Sequence, residues 1–390
     1  MMQRPGPIAV VELSNRHGRH APFNAAFLRT IALGFPGRQV AFWADPTHIE
    51  AVRPLLDSAA GLTFHPIALH EDGMGVTHSS FPRIRHGLAR LRQVHAAHEG
   101  RAVAMVVSGS SPSAMLAAWL LQRMGGPPVQ VPLHGEVNAL REGWRSRNPL
   151  ARCIDLMAAL RRCPGPRLRL LALEHHVAEA LVELAPWLAG LVDVMPHPAG
   201  AALPEVPLPA RPLRIGTLGI ATRGRGFDLW LRLAAELGGL PGLSLHHVGP
   251  LHRDFAGRPM TGLTDPPDES HLPREVYLSR LQALHYVCVP AQGRYYDLAA
   301  SGTLLDAVAA GKPVVALRHR SLERFFEGAG DIGFLCRDEA ELRQVLRDLA
   351  VGFDPARHAR QAANVRRLQR QRMPEALAEG YARGLAALVR

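Results

Sequence analysis

Residues 301–306 read Ser-Gly-Thr-Leu-Leu-Asp, a spacing that could hold a nucleoside diphosphate. Serine ahead of an apolar-periodic run is a helix N-cap, and Leu304, Leu305, Val308 and Ala309 supply the run. The first turn of a helix leaves backbone N–H groups without partners, which makes an anion site. Gly302, followed by Thr303, lets the backbone approach a phosphate closely. Asp306 lies one turn on, about 6 Å along the axis. Its carboxylate can accept hydrogen bonds from two vicinal hydroxyls, as on a ribose. The plainer reading, a cap at Ser301 and an acid complementing the helix dipole at Asp306, also fits. A second strand-loop-helix unit at residues 214–237 offers another anion site, with Arg223 and Arg225 in its loop and Gly226 opening the helix. A third loop, residues 14–21, carries His20, which could act as an acid/base group or donate a hydrogen bond to substrate.

The elements around these residues follow from hydrophobic pattern. Residues 286–290 form a short apolar run ending in proline, read as a buried strand. Gly311 stands where the helix from Ser301 ends, Pro313 forbids its continuation, and residues 314–317 are the next strand. In the first half, strand-like runs at 8–13, 39–44, 62–69, 102–109, 128–134, 167–173 and 191–197 alternate with helical stretches near 22–33, 47–58, 82–98, 112–124 and 148–162. This alternation predicts α/β architecture with parallel, doubly covered sheets. Six prolines crowd residues 196–212 and mark a linker. Beyond it come strands at 214–219 and 243–249, an irregular loop at 251–273, and a helix before residue 285 read as packing.

The segment SGTLLDAVAAGKPVVA resembles the nucleotide-sugar segment of GT-B glycosyltransferases, especially the retaining family 4, or group 1, bacterial enzymes. The resemblance implies two Rossmann-like domains facing across a cleft. Residues 1–200 would be the acceptor side, 201–372 the nucleotide-sugar side, and 373–390 a helix returning to the first domain. It implies that Asp306 binds the ribose, that Arg225–Gly226 replace a lysine-glycine pair clamping the diphosphate, and that Gly18 lies near the donor phosphate. It also implies that His134, with Glu136 or Asn138 beside it, touches the transferred sugar. Two positions depart from the family. Its earlier arginine falls on Ile220, with Arg223 a candidate substitute. Its first glutamate falls on Leu298, with Asp297 one residue off and able to hold sugar hydroxyls. Retention is expected, and inversion with His20 as general base stays open.

Composition bounds the rest. At 390 residues the chain suits two domains. A formal charge of +11 favours anionic partners such as phosphates or an anionic membrane surface. Nucleic-acid-binding signatures are absent from the sequence. The four cysteines show no CxxC spacing, and no Asp-x-Asp motif occurs, so neither a metal nor a cofactor is expected beyond the nucleotide sugar, UDP- or GDP-linked. The family resemblance, in turn, implies a glycan or lipid-linked acceptor, as in bacterial surface polysaccharide or glycolipid synthesis. The N-terminus lacks a signal-peptide pattern, and no apolar run reaches transmembrane length. A cytoplasmic protein, able to sit peripherally on the inner membrane face, is expected. Residues 81–95 read as a basic amphipathic helix, either a core-facing stripe or a membrane-docking face. Trp144, Arg145 and Arg147 read as a basic acceptor loop. Two other functions compete: a GT-B-fold UDP-sugar epimerase and a non-catalytic nucleotide-sugar-binding module.

Overall fold

The computed structural model describes residues 6–56, 58–70, 79–140, 149–209, 211–270, 272–291 and 296–389. The loop carrying Trp144, Arg145 and Arg147 lies outside them. The chain divides into two compact units. The first is Met1–Gly200 with Leu298–Ala300 and Arg372–Arg390, and the second is Ala201–Asp297 with Ser301–Gln371.

The first unit runs β1 (Ile8–Val11), α1 (Ala21–Gly34), β2 (Val40–Ala44), α2 (Pro46–Val52), β3 (Leu62–Pro66), α3 (Phe81–Ala97), β4 (Ala104–Val107), α4 (Pro112–Arg123), β5 (Val129–Leu133), α5 (Leu156–Arg162), β6 (Leu168–Ala172), α6 (His175–Leu184) and β7 (Val192–Val194). Among the described residues its strands form one seven-stranded sheet, ordered β3-β2-β1-β4-β5-β6-β7, and every pairing is parallel. Covered on both faces, the central strands read as unbroken apolar runs, IAVV in β1 and AMVV in β4.

The second unit runs β8 (Leu213–Leu218), α7 (Phe227–Leu237), β9 (Leu243–Val248), β10 (Leu263–Asp265), α8 (Arg274–Gln282), β11 (Tyr286–Val289), α9 (Gly302–Ala309), β12 (Val314–Leu317), α10 (Arg320–Ala329), β13 (Gly333–Cys336), α11 (Glu339–Gly352) and α12 (Pro355–Gln371). Its six strands are ordered β10-β9-β8-β11-β12-β13, again parallel. The last helix, α13 (Pro374–Val389), belongs to the first unit and packs on α1. There Tyr381 meets Phe27 edge-on at 5.2 Å.

Two elements differ from the sequence expectation, and a third, α3, takes one of its two readings. α5 starts at Leu156 because the Asp155 side chain accepts from Ala158 N and caps it there; only a 3₁₀ turn, Ala151–Cys153, precedes it. The loop at 251–273 contains β10, three residues long and irregular in register, too short and polar to show periodicity. The basic helix α3 places Ile84, Leu91 and Val94 in the core, so its apolar stripe is already covered. No helix of the described residues is long and apolar enough to cross a membrane.

Candidate functional site

In the second unit, two loop-helix junctions meet over one glycine. β8 ends at Leu218, and Gly219 follows it with a φ of +81°. A Cβ there would lie 2.2 Å from Arg225 Nη1 and 2.8 Å from Thr303 Cγ2. Only glycine leaves room for the guanidinium and the start of α9 to approach together. Arg225 is fixed by a 3₁₀ turn, Arg223–Arg225, and by Gly226, the left-handed cap of α7. A Cβ on Gly226 would sit 2.1 Å from Pro290 O, so the helix start is packed against the end of β11. α9 opens as the sequence predicts: Ser301 Oγ accepts from Leu304 N at 3.3 Å. Gly302 is exposed, and a Cβ on it would meet nothing within 4 Å. The amide tip of α9 is therefore open on that side.

Asp306 is held by α8. Its Oδ2 accepts from Tyr277 Oη at 2.9 Å, and its Oδ1 from Arg274 Nη2 at 3.4 Å. Burial raises its pKa; Arg274, Tyr277 and Arg225 pull it back. The helix before residue 285 therefore does more than pack: it puts two donors on the acid. Arg223 turns away from this cluster. Its side chain is 70% exposed and lies 3.8 Å from Asp228, which also pairs with Arg258 at 2.5 Å. His247, at the end of β9, lines with Arg225, Thr303, Thr217 and Tyr296 a cavity of about 20 Å³. Burial, reinforced by the Arg225 charge, lowers its pKa to about 3. Asp297 is buried, and Leu298, the position of the missing glutamate, is fully buried in the first unit's core.

In the first unit, the sequence reading missed Glu12. It directly follows β1, is fully buried, and accepts five hydrogen bonds. Oε1 takes Ser14 N at 2.8 Å and Asn15 N at 3.1 Å. Oε2 takes Asn15 Nδ2 at 3.0 Å, Asn24 Nδ2 at 3.2 Å and Ser108 Oγ at 3.2 Å. Burial pushes its pKa up, but the Asn15 and Ser14 bonds and the nearby histidines lower it overall. The available signal was an acid inside an apolar strand, which must find donors.

Glu12 shapes the loop that carries His20. Asn15 Nδ2 also lies 3.5 Å from His20 Nδ1. An amide N–H can only donate, so His20 Nδ1 accepts and the neutral ring carries its proton on Nε2. The His20 and His134 ring centroids are 4.6 Å apart. His134 Nε2 donates to Ser108 O at 3.1 Å, which leaves Nδ1 as its lone-pair nitrogen. Phe23 touches both His134 and a third histidine, His197, at 4.6 and 5.0 Å. Burial lowers all three pKa values, His20 to about 4 and His197 to about 3. Around neutral pH the cluster is uncharged. Glu136 bonds Ser110 Oγ, and Ser110 Oγ accepts from His134 N at 3.1 Å. Gly18 is exposed, and a Cβ on it would likewise meet nothing within 4 Å. Among the described residues no group of three or more His, Cys, Asp or Glu is arranged to hold a metal ion.

No protein-family model matches the chain, and no curated protein matches it. Solved structures do match over nearly the full length. The N-terminal domain of Candida albicans trehalose-6-phosphate phosphatase superposes with a TM-score of 0.65 at 10% identity, covering 100% of this chain and 98% of that one. Sucrose-phosphate synthase from Thermosynechococcus elongatus gives 0.63 at 17%, covering 98% of each. A glycosyltransferase from Rickettsia africae gives 0.64 at 8%, also covering 98% of each. Identities this low carry the fold and not the chemistry. What the chain shares with these proteins is their architecture of two Rossmann-like units of parallel strands, the GT-B fold.

Proposed function

We propose that this protein is a glycosyltransferase that moves a sugar from a nucleoside-diphosphate sugar to a hydroxyl group of a glycan or lipid-linked acceptor. The observation that carries the reading is the convergence over Gly219 of Arg225 and the start of α9, with Asp306 within reach of the same guanidinium charge. A cation and free amides at one point stabilise the charge that develops on a leaving diphosphate. The anomeric carbon–oxygen bond to the diphosphate breaks, a bond to the acceptor oxygen forms, and the acceptor proton passes to a base. Arg225 and the amides of Gly302 and Thr303 take the diphosphate, Ser301 caps the helix that presents them, and Asp306 takes the ribose. Arg223, already turned toward Asp228, contributes at most to the approach of the anionic donor. His20 and His134 serve the acceptor and sugar side, and Gly18 serves the donor phosphate, as the family resemblance implies.

Retention follows from the family resemblance, with Asp297 in place of the missing glutamate. A second reading, inversion, is favoured by the uncharged His20–His134 pair, since a neutral imidazole can take the acceptor proton. The product anomer, read by NMR, decides between them. The donor reading is tested by measuring binding of UDP-, GDP-, ADP- and TDP-sugars, then repeating with Asp306→Ala. At least one donor binds, and the variant weakens it by about tenfold or more. Full affinity for every donor in the variant removes Asp306 from the site. Donor turnover with acceptor extract separates a transferase from a binding module, and formation of an isomeric donor reveals an epimerase.

A further inference from the structure

We propose that Tyr277 and Arg274 of α8 are positioning residues that orient Asp306 and make the site selective for ribonucleoside over 2′-deoxyribonucleoside diphosphates. The inference rests on the donor reading above and adds to it the sugar of the nucleotide. An ionised carboxylate has about four positions at which it can accept hydrogen bonds. Tyr277 Oη occupies one on Oδ2 and Arg274 Nη2 one on Oδ1. Two positions are left, the number a vicinal 2′,3′-diol fills. A carboxylate with two acceptor positions to present depends on outside support to hold its plane. α8 supplies that support from a rigid element rather than a loop. The Arg274 guanidinium is in turn placed 5.8 Å over the Tyr277 ring. The Asp306 side chain keeps 25% of its surface exposed, so the remaining positions are within reach of a ligand.

A 2′-deoxyribose fills only one of the two remaining positions and leaves the other without its hydroxyl partner. The experiment is calorimetric titration of UDP, GDP and their 2′-deoxy counterparts into the full chain, Tyr277→Phe and Arg274→Ala, with circular dichroism confirming the fold of each. The unaltered chain binds its preferred ribonucleotide roughly tenfold more tightly than the 2′-deoxy form. Tyr277→Phe keeps the ring and removes only the donor. It weakens the ribonucleotide by a similar factor and brings the ribo-to-deoxy ratio toward one, and Arg274→Ala moves both in the same direction by less. An unchanged ratio in Tyr277→Phe overturns the inference, whether affinity stays the same or falls equally for both sugars. An unaltered chain that binds none of the UDP-, GDP-, ADP- and TDP-sugars removes the donor reading itself.

Discussion

Glu12 shows what a single buried charge can organise. Its five donors come from the loop after β1, from α1 and from the end of β4, so one side chain fixes three segments around His20. A Cβ on Gly109 would lie 2.6 Å from its Oε1, which explains a glycine at that point. Glu12→Gln places an amide NH₂ where only acceptors fit. It should lower stability by about 1–3 kcal/mol, read as a drop in the denaturation midpoint, and it should slow turnover through a misplaced His20. Equal stability of the variant would show that the loop holds without the charge. Residues of this kind were not legible in the sequence, because their role depends on donors distant along the chain. Ser301 was legible, because a cap and its helix are local. Asp306 was legible as an acid one turn in, but its partners on α8 were not, since nothing in the sequence aligns Tyr277 with it.

Helix starts carry the contrast at the scale of elements. Gly226 and Gly302 both open helices at the candidate site, and residue type alone does not separate them. Gly226 has φ +79° and no room for a Cβ. Gly226→Ala should cost roughly 2–4 kcal/mol and disturb Arg225 with it. Gly302 has ordinary backbone geometry and open space around it. Gly302→Ala should leave the melting temperature unchanged or slightly higher, because alanine favours a helix by about 1 kcal/mol, while donor affinity falls because a methyl group now stands at the anion site. The pair separates a glycine needed by the fold from one that leaves room for a ligand. If Gly302→Ala bound every donor with full affinity, the tip of α9 would not be the phosphate site. Strands and long helices were readable from period and composition; β10 and the late start of α5 were not, because three residues have no period and a single capping aspartate outweighs the pattern around it.

For the molecule as a whole, the alternation of apolar runs and amphipathic stretches was enough to give parallel α/β architecture, while the state of its buried histidines was not readable at all. His20 and His285 are held at about 4, and His197 and His247 at about 3, each chiefly by burial. They are distributed over both units, and the ordinary value is 6.5. Between about 4 and 6.5 the unfolded chain therefore binds more protons than the folded one. Stability is fully present above 6.5 and falls as pH drops through that window. At pH 5 each such group costs up to about 2 kcal/mol, and several together rival the whole stability of a domain. Glu12, with its lowered pKa, adds to the loss at still lower pH. Asp306 runs the other way: its raised pKa means that its contribution declines as pH rises through the acid range. Two units need not melt together, so the observable is the thermal midpoint. It should fall by roughly 10 °C or more from pH 7.5 to pH 5. His197→Asn should flatten the dependence for the first unit and His247→Asn for the second, each by removing a site that must take up a proton on unfolding. A midpoint that stays constant between these pH values would mean that the histidines are already charged in the folded chain, and the uncharged His20–His134 pair would lose its role as a base.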